Sequence, residues 1–238
     1  MQFMLYYTHM AETKPLHHIA IIPDGNRRWA KAHHLPSILG HQKGAEVTRK
    51  ILKKLDAMGI HTITIWGFST ENWNRDEEEV AGLMKLFTQF IDELSKEIHQ
   101  YEARVYQLGN RTRLSPELVK KIEKLEADTK HYTKHVLNIA LDYGGRDEML
   151  RAIKKGIEEG IEFSEEAFTK LLDTGDQPYP EPDFIIRTSG EQRLSGLMPW
   201  QAVYAEILFL EKYFPDLTEK DLEDAVENYY ARQRRFGK

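Results

Sequence analysis

Six short runs rich in β-branched and aromatic residues are spaced along the chain, with a helical pattern between most neighbours. No other feature narrows the possible folds as much. The runs are HIAII (18–22), HTITIWGF (61–68), ARVYQLG (103–109), HVLNIALDY (135–143), FIIRT (184–188) and AEILFL (205–210). Val47, Ile51, Leu55 and Met58 form one stripe of a helix over 44–58. A longer helical pattern covers 76–100, where Val80, Leu83, Met84, Phe87, Ile91, Leu94 and Ile98 recur and an acidic cluster marks the start. Further helices are expected over 115–129, opening with Ser-Pro, from Gly144-Gly145 through Ile157, over 164–172 and over 218–232. Such alternation implies right-handed crossovers and an α/β fold: a single domain with a mostly parallel central sheet flanked by helices.

The bulk properties fit one domain. The chain has 238 residues and a net charge of −5, which argues against nucleic acid as a general partner. It has no cysteine, so disulfides and thiolate metal sites are excluded. No run approaches the ~20 apolar residues that span a bilayer, so at most peripheral membrane contact is expected. The opening MQFMLYYTHM lacks a basic segment before its apolar run, which makes a poor signal peptide. We expect a cytoplasmic enzyme, with 1–15 as an N-terminal extension and 16–238 as the domain. His17-His18 and His33-His34 are adjacent pairs whose side chains diverge, and they make no convincing metal site.

In open parallel sheets, ligands bind outside the carboxyl ends of the strands. Three polar segments follow predicted strands: Asp24 to Trp29, Ser69 to Arg75 and Arg187 to Ser195. They are expected to converge. In RTSGEQRLS, Arg187 and Arg193 frame a Ser-Gly turn beside Ser189 and Ser195, which suits a diphosphate, since guanidinium binds phosphate through paired charge-assisted bonds. Two surface arginines on a loop are the plainer reading. In FSTENWNR, Ser69, Thr70, Glu71 and Asn72 suit a helix cap, while Trp73 beside Asn74 and Arg75 suits a ligand better. In PDGNRRW, Gly25 lets backbone approach a ligand and Arg27 and Arg28 add charge. Asp24 beside a bound phosphate is repulsive unless Mg²⁺ lies between them; an Asx turn is the alternative. There is no G-x-x-x-x-G-K-[ST] and no G-x-G-x-x-G, so the common nucleotide sites lose support. The Leu-, Met- and Phe-rich stripe of the 76–100 helix fits an apolar tunnel between sheet and helices, or ordinary core.

Together the segments resemble one family. DGNRRWAK, GHQKG, GFSTENWNR, DYGGRDE, IIRTSGEQRLS and WQAVYAEILF stand in the order of the signatures of the cis-prenyltransferases, typified by undecaprenyl diphosphate synthases, and the likeness covers 16–237. The resemblance implies condensation of isopentenyl diphosphate onto an allylic diphosphate, usually farnesyl diphosphate, to give a Z-polyprenyl diphosphate. A short-chain Z-prenyl synthase, or a non-catalytic partner subunit, is the alternative. Carried over residue by residue, Asp24 is a catalytic residue and Mg²⁺ ligand, Glu206 a second metal ligand, and Asn72 the residue assigned to proton removal. Gly25, Asn26, Arg27, Arg28, Trp29 and His41 match the allylic side. Phe68, Ser69, Thr70, Glu71, Trp73 and Arg75 match the turn beside it, and Arg187, Arg193, Leu194 and Ser195 the isopentenyl side. Arg235 and Gly237 of the RRFG tail match residues that complete the partner's site, so a homodimer is implied. The chain departs from the pattern at Ser37, where many members have a basic residue, and at Gln192, where some have histidine. Arg27, Gly196 and Pro199 also differ from many bacterial members.

Overall fold

A computed structural model describes residues 15–232, and the alternation appears in it almost as expected. In chain order the elements are β1 (His18–Ile22), α1 (Asn26–Ala32), α2 (Ser37–Ala57), β2 (Thr62–Ser69), α3 (Glu77–Glu97), β3 (Ala103–Leu108), α4 (Pro116–Thr129), β4 (His135–Tyr143), α5 (Gly145–Glu158), α6 (Glu165–Leu171), β5 (Phe184–Arg187), β6 (Glu206–Phe209) and α7 (Glu219–Ala231). Short 3₁₀ turns cover Thr70–Asn74, Ile98–Tyr101 and Phe214–Asp216. The strands form one sheet in the order β3-β4-β2-β1-β5-β6, every described pair parallel. The chain moves from β1 to one side through β2, then returns to its other side through β5, so the order reverses at β1. That reversal opens a crevice at the carboxyl ends of β1 and β5.

Each strand divides its side chains between two cores. Ile19, Ile21, Ile63, Ile65, Leu137, Ile139, Phe184 and Ile186 join the larger one, with Val47, Ile51 and Leu55 of α2, Leu83, Ile91 and Leu94 of α3, and Leu222 and Val226 of α7. Ala20, Ile22, Trp66, Ala140, Tyr143 and Ile185 face the other way, onto Leu197, Met198 and Ala202 of the 194–205 loop. Each buried aliphatic side chain of this kind contributes roughly 1.5–3 kcal/mol relative to exposure. Caps set the boundaries. The Ser115 hydroxyl accepts from the Leu118 N–H at 3.3 Å with Pro116 behind it, and Thr218 caps α7 with Asp221 at the reciprocal position.

Two elements were not legible as written. Helix α2 starts at Ser37 rather than Gly44, and α1 is a seven-residue helix with little apolar content. The reason is close backbone packing. A methyl on Gly40 would meet the Asn26 carbonyl, and one on Gly44 the Asn26 side chain. The GHQKG glycines therefore join α2 to α1 through backbone, which leaves no apolar stripe to read.

Candidate active site

The loops after β1, β2 and β5, three neighbours in the sheet, meet around a cleft of about 1080 Å³. Asp24, Gly25, Asn26, Arg27 and Arg28 line it from the first loop and from α1, and His41 from α2. Phe68, Ser69, Asn72 and Arg75 line it after β2, and Arg187 and Ser195 from the third segment. The convergence expected from strand ends is thus present.

Asp24 is fixed through both its backbone and its side chain. Its carbonyl accepts from the Thr188 hydroxyl at 2.7 Å and the Phe214 N–H at 3.0 Å. Its carboxylate accepts from Arg187 Nη2 at 2.9 Å, Arg28 Nη2 at 3.1 Å and the Gly25 N–H at 2.6 Å. Burial acts to raise its pKa, but the bonds and charges of Arg187 and Arg28 outweigh this and hold it below the usual carboxylate range. Gly25 has φ +100°, and an added methyl would lie 2.8 Å from the Tyr213 ring and 3.0 Å from Ser189, so glycine is required there. Arg187 is buried and works inward. Its Nη1 donates to Ser195 Oγ at 2.8 Å and to the Arg193 carbonyl, which fastens the 193–195 loop to Asp24.

Carboxylates already pair with the cationic groups. Glu79 of α3 lies 3.1 Å from Arg75, 3.6 Å from Arg27 and 3.8 Å from His41 Nε2. Burial, then Arg75 and Arg27, push His41 down to about 4, so its imidazole is neutral near pH 7. At the opposite rim, Glu191 pairs with Arg28 at 3.0 Å and with Arg193. Glu79 and Glu191 were not singled out from sequence. The first was detectable as an i,i+4 partner of Arg75, the second as the acidic residue inside RTSGEQRLS. Lys31, one turn after Arg27 and Arg28, also lines the cleft, as does Ser37.

Several expected site residues lie elsewhere. The Trp29 indole donates to Asp216 at 2.7 Å and stacks on His33, which secures α1 to the Phe214–Asp216 turn. Trp73 donates to Asp142 at 2.8 Å and sits edge-on to Phe68. Phe68 is itself buried in the large core and only borders the cleft. Thr70 packs against Gly144, Glu71 is exposed, and Leu194 packs on the smaller core. Arg193 extends outward at the rim, with its side chain 60% exposed. Glu206 is not brought to the cleft. The register pairs it with Phe184 at the amino end of the strands, where it accepts from Arg232 at 2.8 Å. Parallel pairing therefore sets Glu206 at the opposite end of the strands from the cleft. Arg235 and Gly237 lie outside the described residues.

Behind the cleft, a void of about 70 Å³ lies between α2, α3 and the sheet, lined by Gly44, Thr48, Leu83, Phe87, Phe90 and Ile139 among others. It shares Asn26, His41 and Gly67 with the cleft. A second void of about 40 Å³ lies farther along the same helix pair, beside Leu52, Leu94, Ile98 and Tyr101.

The family model described as putative undecaprenyl diphosphate synthase matches residues 22–237. The chain belongs to that family, the cis-prenyltransferases. It is an isoprenyl transferase. The isoprenyl transferase of Thermotoga maritima (strain ATCC 43589) is 45% identical over 225 residues, covering 92% of this chain and 96% of the relative. That of Aquifex aeolicus (strain VF5) is 42% identical over 222 residues, covering 93% and 95%. Among solved structures, lavandulyl diphosphate synthase from Lavandula x intermedia, in complex with dimethylallyl diphosphate, superposes with a TM-score of 0.90 at 35% identity, covering 94% of this chain and 98% of that one. A probable undecaprenyl diphosphate synthase from Campylobacter jejuni gives 0.81 at 32% identity, covering 95% and 100%. The cis-prenyltransferase fold thus extends over nearly the whole chain, and no described helix is long and apolar enough to cross a membrane.

Proposed function

We propose that this isoprenyl transferase condenses isopentenyl diphosphate onto an allylic diphosphate, with farnesyl diphosphate as primer, and releases a Z-polyprenyl diphosphate of medium to long chain. The observation that carries this reading is the meeting of Asp24, Arg28, Arg75 and Arg187 around one cleft that adjoins an apolar void. The lavender relative, crystallised with dimethylallyl diphosphate, supports an allylic diphosphate as primer.

Arg27, Arg28 and Arg75 bind and orient the allylic diphosphate, and Ser195 and Arg193 the isopentenyl one. Fixed positive charge at the rim stabilises the diphosphate as it departs. Asn72 holds its position through its own amide oxygen, which accepts from the Ser69 N–H at 3.1 Å. Its NH₂ group therefore remains to donate, and it positions a diphosphate oxygen rather than acting as a base. Asp24 fits a Mg²⁺ site of the kind that relies on one protein carboxylate plus phosphate oxygens and waters. Its side chain is 29% exposed at the cleft, and the described residues hold no cluster of three metal-ligating side chains. Bound Mg²⁺ would supply Lewis-acid stabilisation of the leaving diphosphate. Apolar walls behind Gly67 keep water from the reacting carbons, and the void of about 70 Å³ they enclose must widen between α2 and α3 as the chain grows. A methyl on Gly67 would meet Leu141 at 2.9 Å and Phe87 at 3.2 Å, so close packing requires the glycine at this boundary between cleft and void.

The protein acts as a cytoplasmic homodimer in this reading. On α5, Leu150 and Ile157 are each 68% exposed, with Ile153 between them, and Val203 on the 194–205 loop is 67% exposed. Exposed apolar side chains of this kind suit a two-fold interface. Sedimentation as a monomer at micromolar concentration would overturn the dimer. The enzymatic reading is tested by incubating the protein with labelled isopentenyl diphosphate, farnesyl or geranyl diphosphate and Mg²⁺, then sizing the products. Products of several added units with farnesyl diphosphate support it; a single addition favours the short-chain alternative, and none sinks the reading.

A further inference from the structure

The turn that carries Asn72 is braced from outside the cleft, by residues that neither line it nor neighbour it in sequence. Trp73, next to Asn72 in the Thr70–Asn74 turn, donates its indole N–H to Asp142 Oδ1 at 2.8 Å. Asp142 lies near the end of β4 and is 0% exposed, with φ +49°. Arg113, from the loop between β3 and α4, clasps the same carboxylate with two donors. Its Nε donates to Oδ2 at 2.9 Å, and its Nη2 donates to Oδ1. The guanidinium also lies over the Trp73 ring, 5.3 Å from its centroid. The Asn110 N–H donates to the Asp142 carbonyl at 3.0 Å, which ties the same loop to the same residue. Nearby, Gly144 lets backbone approach Thr70 so closely that a methyl there would overlap the threonine hydroxyl.

We propose that Arg113 and Asp142 are positioning residues, which fix the 70–75 turn so that Asn72 and Arg75 stand at reactive geometry. This rests on the reading of the cleft given above. The left-handed backbone at Asp142 aims its carboxylate at the indole N–H, a conformation that few residues other than Gly, Asn and Asp adopt readily. The guanidinium then compensates a carboxylate that is otherwise out of water, and covers the outer face of the indole. Loop 109–115 thereby acts on a turn that follows a different strand.

The test is steady-state kinetics with labelled isopentenyl diphosphate and farnesyl diphosphate on purified full-length variants, alongside thermal melts. Arg113→Ala is expected to lower kcat by on the order of ten- to a hundredfold, because small displacements of positioned groups carry costs of that size. KM for farnesyl diphosphate is expected to rise by less than kcat falls, since Arg27 and Arg28 are untouched and only Arg75 moves with the turn. Arg113→Lys recovers only part of the loss, because an ammonium cannot keep two bonds in one plane. On a Trp73→Phe background, which removes the indole donor, Arg113→Ala is expected to cost less than about threefold more, the non-additivity of groups acting through one contact. Additive losses would overturn the proposal. If Arg113→Ala does not fold because Asp142 is stranded, Arg113→Ala with Asp142→Asn serves instead: asparagine tolerates the left-handed backbone and its amide oxygen still accepts from Trp73. Wild-type turnover in that double variant also overturns the proposal. Asn72→Ala separates the two levels. An inactive Asn72→Ala with an unimpaired Arg113→Ala refutes the brace alone, whereas an unimpaired Asn72→Ala refutes the cleft reading and the brace with it.

Discussion

The two ends of the sheet treat polar side chains in opposite ways. At the carboxyl end, five arginines and Asp24 meet around an open cleft, and all of the arginines but the buried Arg187 keep their guanidiniums within reach of water. At the amino end, histidines stand at the starts of adjacent strands and turn inward. His18 is fully buried with its Nε2 2.8 Å from Thr64 Oγ1; Asn138 donates to the same Thr64 at 3.0 Å and to Gln177 at 2.9 Å. Around it, His17 stacks on Tyr179, and His135 lies 3.1 Å from Asp56. His18, Thr64, Asn138 and Gln177 are uncharged groups that satisfy one another inside the protein and can be sealed off at little cost, whereas most of the arginines at the cleft stay open to water. One parallel sheet thus has a structural pole and a reactive pole.

Breaking the reactive pole is expected to have the largest effect. Asp24→Ala should reduce kcat on the order of a thousandfold, the scale seen when a fixed electrostatic contribution to a transition state is removed. Its melting curve should stay cooperative, because the backbone bonds to the Asp24 carbonyl survive. Appreciable turnover in that variant would refute the role given to the carboxylate.

The structural pole should respond to acid. Burial lowers His18 to about 4, against an ordinary value of 6.5. Between those values the unfolded chain binds the proton and the folded one does not, so stability rises with pH across that window. The contribution is fully present above pH 6.5 and lost as pH falls towards 4, amounting to about 3 kcal/mol. Urea titrations between pH 7 and 4.5 should show this slope in the native protein and a flatter one in His18→Gln; equal slopes would contradict it. His41 is also lowered to about 4, but by Arg75 and Arg27 as well as burial. NMR titration with inorganic diphosphate should therefore raise the His41 pKa and leave His18 unmoved, which sharpens the contrast.

The smallest effect concerns the division of the reactive pole itself. Arg193→Ala should raise KM for isopentenyl diphosphate on the order of tenfold, the value of a charge-assisted bond or two, with far less change for farnesyl diphosphate. Equal changes for both substrates would show that the two subsites are assigned wrongly.

How much of this was legible depended on the kind of contact involved. The strands were readable as β-branched and aromatic runs because both their faces are buried, and the long helices because each buries one face with a regular period, as with Leu83, Ile91 and Leu94 on α3. The start of α2 was not, because Gly40 and Gly44 contact α1 through backbone. At the site, Asp24, Arg28 and Arg75 were found because loops after parallel strands share one rim. Trp29 and Trp73 were expected to face ligand, yet their indole N–H groups are engaged by Asp216 and Asp142. Those partners are distant in sequence, and nothing local announces them. Glu206 shows the same limit, since only the strand register reveals which end of the sheet it occupies.

The carboxylates at the rim have a consequence for selectivity. Arg27 and Arg75 already face Glu79, Arg28 faces Asp24 and Glu191, Arg187 faces Asp24, and Arg193 faces Glu191. An incoming anion is therefore exchanged for a resident one rather than added to bare cations. Chloride or acetate would replace one unit charge with another and gain almost nothing, while a diphosphate brings several charges to the same guanidiniums. Discrimination against the abundant singly charged anions of a cell is in this way a property of the protein at rest, before any substrate arrives.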